Sequence, residues 1–169
     1  MTHSTPSRPD PAELLAALPH VFVDRSLGAL QVPAMLREAG FALTTMREHY
    51  GETRAQGVAD VEWIALTAEQ GWIGFHKDAE IRRNEVERRA VIETGARMFC
   101  VPRADITAAD LAARYIVNLP AIAAAAAEPG PYILLRPRAP DRQADSVAGC
   151  AATQGLQPRP RLGRVSLLP

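Results

Sequence analysis

Short apolar runs alternate with amphipathic segments through the middle of the chain, and the alternation predicts a β-α-β-α-β-α-β-α-β order. Residues 20–23 (HVFV) form a buried strand ending at Asp24. In GALQVPAMLREAG, Leu30, Met35, Leu36 and Ala39 recur at helical spacing, Pro33 fits the first turn, and Gly40 suits the position just past the helix end. Residues 41–46 (FALTTM) read as a second strand, and MREHYGETRAQGVA as a polar loop. DVEWIALTAEQG is a helix opened by Asp60 and closed by Gly71. Residues 72–75 (WIGF) are a third strand running into His76, Lys77 and Asp78. Residues 79–94 form one charged helix with a thin stripe of Ile81, Val86, Ala90 and Val91. A fourth strand covers 97–101. Thr107 and Asp110 begin a long helix that Pro120 kinks or splits, and 132–135 (YILL) are the fifth strand. The pattern predicts an α/β fold, a three-layer parallel sheet of about five strands with helices on both faces.

The flanks differ in composition. Residues 1–19 read as a flexible N-terminal extension with at most a short helix over 11–19, and 137–169, rich in Pro and Arg, as a tail. The domain is expected at 20–136. A length of 169 residues suits one such domain. The formal net charge is zero, which supplies no global attraction to nucleic acid, so any basic surface must be local. Two cysteines without metal-ligand spacing make zinc and disulfide frameworks poor readings. Cys100, in ARMFCVP, reads as core. Neither a signal peptide nor a membrane span is expected, which suits a cytoplasmic protein.

In open parallel sheets, ligands bind beyond the C-terminal strand ends, near the point where strand order reverses. Asp24 ends strand one, Asp78 follows strand three, and Asp60 begins a helix at the same edge. Three carboxylates converging there would need a cation, and oxygen ligands select Mg²⁺ or Mn²⁺. Such a centre points to phosphodiester hydrolysis. Each residue also has a plainer reading, since Asp is a favoured cap of turns and helices. Glu62 points about 200° round the helix from Asp60 and serves only as a fallback. His76 is a candidate proton carrier or ligand, although a lone His near a strand end is more often neither. Lys77 could meet a phosphate or pair with a carboxylate. Arg82, Arg83, Arg88 and Arg89 are interleaved with Glu85, Glu87 and Glu93. That favours a solvated helix face, with Arg82 and Arg83 near enough to the site to contact substrate.

VFVDRSLGALQVPAMLREAGF, ADVEWIALTAEQGWIGFHKDAEIRR and ARMFCVPRADIT resemble PIN-like domains related to VapC-type toxins, over residues 20–125. The resemblance implies an Mg²⁺-dependent endoribonuclease, often the toxin of a toxin–antitoxin pair and often a homodimer, with Asp24, Asp60 and Asp78 as its acids. Its partners would be RNA and an antitoxin. Two departures stand out. His76 replaces the Thr of a "T-x-D" context. The helical region that carries a further Glu is shortened, leaving Glu48 or Glu52 as substitutes. A site short of one acid would hold one metal or be inactive, so a non-catalytic module binding RNA or a protein is the alternative. A receiver domain would need paired acids, and a dehalogenase-type phosphatase a DxD, where this chain has Asp24-Arg25-Ser26.

Overall fold

The computed structural model describes residues 9–102, 105–135 and 164–165. The strands are β1 (Val21–Val23), β2 (Leu43–Thr45), β3 (Ile73–His76), β4 (Arg97–Cys100), β5 (Tyr132–Leu135) and β6 (Arg164–Val165). Their order across the sheet is β2-β1-β3-β4-β5-β6. The first five are mutually parallel, and β6 joins the edge antiparallel, Leu134 opposite Arg164. Two residues of the expected tail thus complete the sheet, and Cys150 lies outside the described residues. Strand order reverses between β1 and β3, which is where a doubly wound sheet opens its ligand crevice.

The helices are α1 (Pro11–Ala17), α2 (Gln31–Glu38), α3 (Met46–Tyr50), α4 (Glu52–Ala55), α5 (Asp60–Glu69), α6 (Glu85–Thr94), α7 (Ala108–Val117) and α8 (Leu119–Ala126). The period of two along each strand builds two cores, one on each face. Val21, Val23, Phe75, Phe99 and Leu134 pack under α2, α7 and α8. Phe22, Met98, Cys100 and Ile133 pack with Trp63, Ile64 and Val91 of α5 and α6. Gly74 makes that second layer possible, since a Cβ there would stand 2.7 Å from Met98 Sδ and 3.1 Å from the Trp63 ring. Helix ends follow their sequence signals. Gly40, just past α2, takes φ +96°, Thr107 caps α7 by accepting from the Asp110 N–H, and Pro120 opens α8 after a break at Asn118.

The structure departs from three of these expectations. The segment expected to be a loop after β2 is helical. The Thr45 hydroxyl accepts from Glu48 N while Glu48 accepts from Thr45 N, a capping box that starts α3 at once. Strand three runs one residue further than expected, so His76 belongs to it and is fully buried. The charged segment 79–94 is broken. A 3-10 turn at Glu80–Arg82 precedes a fresh start at Asn84, which caps α6. The break resets the helical phase, so Ile81 and Val91 are buried while Val86, placed in the same stripe, is 65% exposed.

Candidate functional site

Asp24 leaves β1 into a short 3-10 turn, and its Oδ2 accepts from the Ser26 N–H at 3.0 Å. The residue is only 4% exposed, yet Oδ1 is buried without a partner. A buried unpartnered carboxylate oxygen is costly and marks a place where something else binds. Burial pushes this carboxyl above its ordinary range. Ser26 opposes the push, Asp60 adds to it, and Arg25 opposes it.

Asp60 occupies the first turn of α5 without capping it, since Ala59 is the cap residue. Its Oδ1 accepts from Trp63 Nε1 at 3.0 Å and lies 3.7 Å from Arg25 Nη2. Arg25 also donates to the Val58 and Ala55 carbonyls at 2.8 and 3.3 Å, tying the turn after β1 to the chain that leads into α5. Ser26 adds a second tie, its Oγ accepting from the Lys77 N–H at 3.1 Å, so the tips of β1 and β3 are joined. Tyr115 reaches the same edge from below, its hydroxyl placed 2.8 Å from the His76 carbonyl and 3.1 Å from that of Phe99.

Asp78 closes a tight turn by accepting from the Glu80 N–H at 2.7 Å. Glu87, which reads from the sequence as part of a solvated face, has its carboxyl raised by burial and, after that, by repulsion from Asp60, Asp78 and Glu80. A signal for it exists in the sequence, because Asn84 stands three residues before Glu87, the spacing of a helix start, and Asn84 Nδ2 donates to Glu87 Oε1 at 2.8 Å.

The other candidate acids are engaged by arginines. Glu48 pairs with Arg37, Glu52 with Arg47 and Glu62 with Arg54, at 2.6–2.7 Å. Of the candidate cations, Arg83 pairs with Glu80 at 2.7 Å, whereas Lys77 and Arg82 make no ion pair among the described residues. His76 is enclosed beside Trp63, ring centroids 6.1 Å apart, and neither ring nitrogen has a hydrogen-bond partner. Burial lowers its pKa to about 4, with the Asp78 main chain and carboxylate pulling the other way, so the ring is neutral at pH 7. Cys100, opposite His76 on β4, donates weakly to the Asp78 carbonyl, and burial drives its thiol up to about 12, removing thiolate chemistry.

Asp24 and Asp60 thus share one edge of the sheet, tied through Arg25, and the charge of Asp60 adds to the upward push on Asp24. Among the described residues, however, no three His, Cys, Asp or Glu side chains stand close enough together to hold a metal ion as they are. The donor type still fits a hard divalent cation, and the unpartnered Asp24 Oδ1 offers it a ligand. No helix among the described residues is long and apolar enough to cross a membrane.

Fold and edge together define a doubly wound α/β domain with Asp24 and Asp60 at its switch point. A model of the PIN-like domain matches residues 19–103. A Mycobacterium tuberculosis H37Rv protein bearing the name "Putative ribonuclease VapC45" is 73% identical over 120 residues, which cover 71% of this chain and 87% of that one. No solved structure matches. The chain belongs to the PIN-like domain family.

Proposed function

We propose that this protein is a divalent-metal-dependent endoribonuclease, the toxin half of a toxin–antitoxin pair. The observation that carries the reading is the buried, unpartnered Oδ1 of Asp24 at the switch point, beside Asp60. The kinship with a protein named as a ribonuclease supports it. Asp24, Asp60 and Asp78 would hold Mg²⁺ or Mn²⁺, with Glu87 in the place of the missing fourth acid. Bound there, the ion supplies charge neutralisation at a phosphodiester and lowers the pKa of a bound water.

The chain's own residues divide the remaining work. Arg25 and Trp63 hold Asp60 in position. Lys77 and Arg82, which pair with no carboxylate among the described residues, take the phosphates on either side of the cut. Neutral His76 and the Trp63 ring close the floor under the acids against water. The protein's setting in this reading is the cytoplasm, as a homodimer with an antitoxin partner.

One observation favours a second reading, a non-catalytic module that binds RNA or a protein. The acids are not gathered tightly enough for an ion as they stand. Gel-resolved cleavage of single-stranded RNA by the wild type and Asp24→Asn, with Mg²⁺ or with EDTA, separates the two. The nuclease cuts only with metal and only with Asp24. Cleavage that ignores EDTA, or that persists in the variant, rejects it.

A further inference from the structure

A cleft of about 300 Å³ opens beside Asp24 on the side away from β3. It exists because the segment after β2 is helical. Thr45, Met46 and Arg47 form one wall, Ala55 and Gln56 of the α4 end the other, and Asp24 stands at the inner edge. Its volume is at the lower end of the range for ligand pockets, room for one planar ring system and not for a stacked pair. Buried Met46 and Ala55 give it apolar patches, while Gln56 is exposed. At the rim, Arg47 Nη2 and Glu52 Oε2 lie 2.6 Å apart, setting guanidinium donors and a carboxylate acceptor side by side.

The cleft and the cations Lys77 and Arg82, which make no ion pair among the described residues, lie on opposite sides of Asp24. Lys77 follows β3 and Arg82 ends the 3-10 turn after it, whereas the cleft is lined from the ends of β1 and β2. A strand passing over Asp24 therefore meets cations on one flank and a polar slot on the other. Backbone phosphates suit the first and an unstacked base the second, since sequence in single-stranded RNA is read on splayed bases.

We propose that this cleft is a base-recognition subsite, which takes the nucleobase next to the scissile phosphate and prefers guanine. Guanine is the base whose pairing edge offers one acceptor beside two N–H donors. The Arg47 guanidinium matches the acceptor, the Glu52 carboxylate matches the two donors, and the Gln56 amide closes the far edge. Phosphate contacts position a strand and base contacts specify it. Lys77 and Arg82 thus set affinity, and Arg47, Glu52 and Gln56 set sequence. This rests on the ribonuclease reading above.

The test uses the full chain, Mg²⁺ or Mn²⁺, and single-stranded RNA 12-mers that differ only at the nucleotides flanking the cut. A guanine on one side of the cut raises kcat/KM on the order of 10-fold over the other three bases. Glu52→Ala and Gln56→Ala level the four bases while cleavage continues, and Lys77→Ala weakens all four alike. Competition for Asp24→Asn by guanine-containing against adenine-containing oligonucleotides, followed by fluorescence anisotropy, shows the same ranking without turnover. Cleavage with no preference beside the cut, or a preference that survives both variants, overturns the subsite alone. No metal-dependent cleavage of any RNA overturns the ribonuclease reading and the subsite with it.

Discussion

The Trp63 indole donates to Asp60 Oδ1 at 3.0 Å, so a fully buried ring in the α5 layer fixes a carboxylate at the mouth of its own helix. Trp63 in turn rests over Gly74, and a Cβ at Gly74 would come within 3.1 Å of the ring and 2.9 Å of Met98 Cε. Gly74→Ala overpacks this layer and costs about 1–3 kcal/mol. It also displaces the Asp60 carboxylate. A denaturant melt reads the first effect and Mg²⁺-dependent cleavage the second. Trp63→Phe removes the hydrogen bond to Asp60 and leaves a cavity where the fully buried indole packs, so it lowers activity and costs about 2–3 kcal/mol.

Asp24 contributes to function at the expense of stability. Its folded pKa is raised, so the protonated form is favoured in the native state. The associated stability is present below the unfolded value of 3.8 and is lost as pH rises through the folded value. At pH 7 in EDTA, Asp24→Asn therefore melts at a higher temperature than the wild type. Mg²⁺ raises the melting temperature of the wild type and leaves the variant unchanged. The several kcal/mol supplied by such a metal centre, at 1.36 kcal/mol per decade, make the loss of cleavage at least about 100-fold.

Buried His76 gives the opposite sign. Its pKa falls from 6.5 to about 4, so its neutral form stabilises the fold fully above pH 6.5, and that contribution drains away as pH falls toward 4. The cumulative loss is on the order of a few kcal/mol. His76→Leu should flatten the fall in chemical-denaturation stability between pH 6.5 and 4, measured in EDTA. An unchanged slope assigns the acid sensitivity to other groups.

Two arginine and glutamate comparisons separate site residues from surface pairs. Arg25→Lys cannot reach Asp60, Val58 and Ala55 together, because a lysine ammonium lacks the guanidinium fork. The variant loses about 1–2 kcal/mol and binds Mn²⁺ more weakly. Glu87→Gln likewise weakens Mn²⁺ binding, whereas Glu62→Gln, which only breaks the exposed pair with Arg54, leaves it intact. Isothermal titration of the three variants with Mn²⁺ reads all of this. Equal affinity for Glu87→Gln and wild type would remove Glu87 from the site.

The cores of β1 to β5, the α5 boundaries and the placement of Asp24 and Asp60 at one edge are legible because each rests on local signals. VFV and YILL are unbroken apolar runs, and Gly40 and Gly71 close their helices at positive φ. The helices after β2 were not legible, since a polar stretch offers no periodicity. Only Thr45 with Glu48 marks the start, and the Glu48 carboxylate serves there as a cap and not as a site acid. Glu87 was hidden by reading 79–94 as continuous. Asn84 restarts the helix three residues before Glu87, a local signal, but the burial and the neighbouring acids that raise the Glu87 carboxyl come from tertiary packing.

In the proposed nuclease Asp24, Asp60 and Asp78 share a divalent ion at the tips of β1 and β3. Anomalous scattering from crystals soaked in Mn²⁺ locates such an ion. A peak is expected at coordination distance from Asp24 Oδ1, with the Asp60 and Asp78 carboxylates swung toward it, directly or through water. Mn²⁺ bound only elsewhere on the chain, at concentrations that support RNA cleavage, would contradict it.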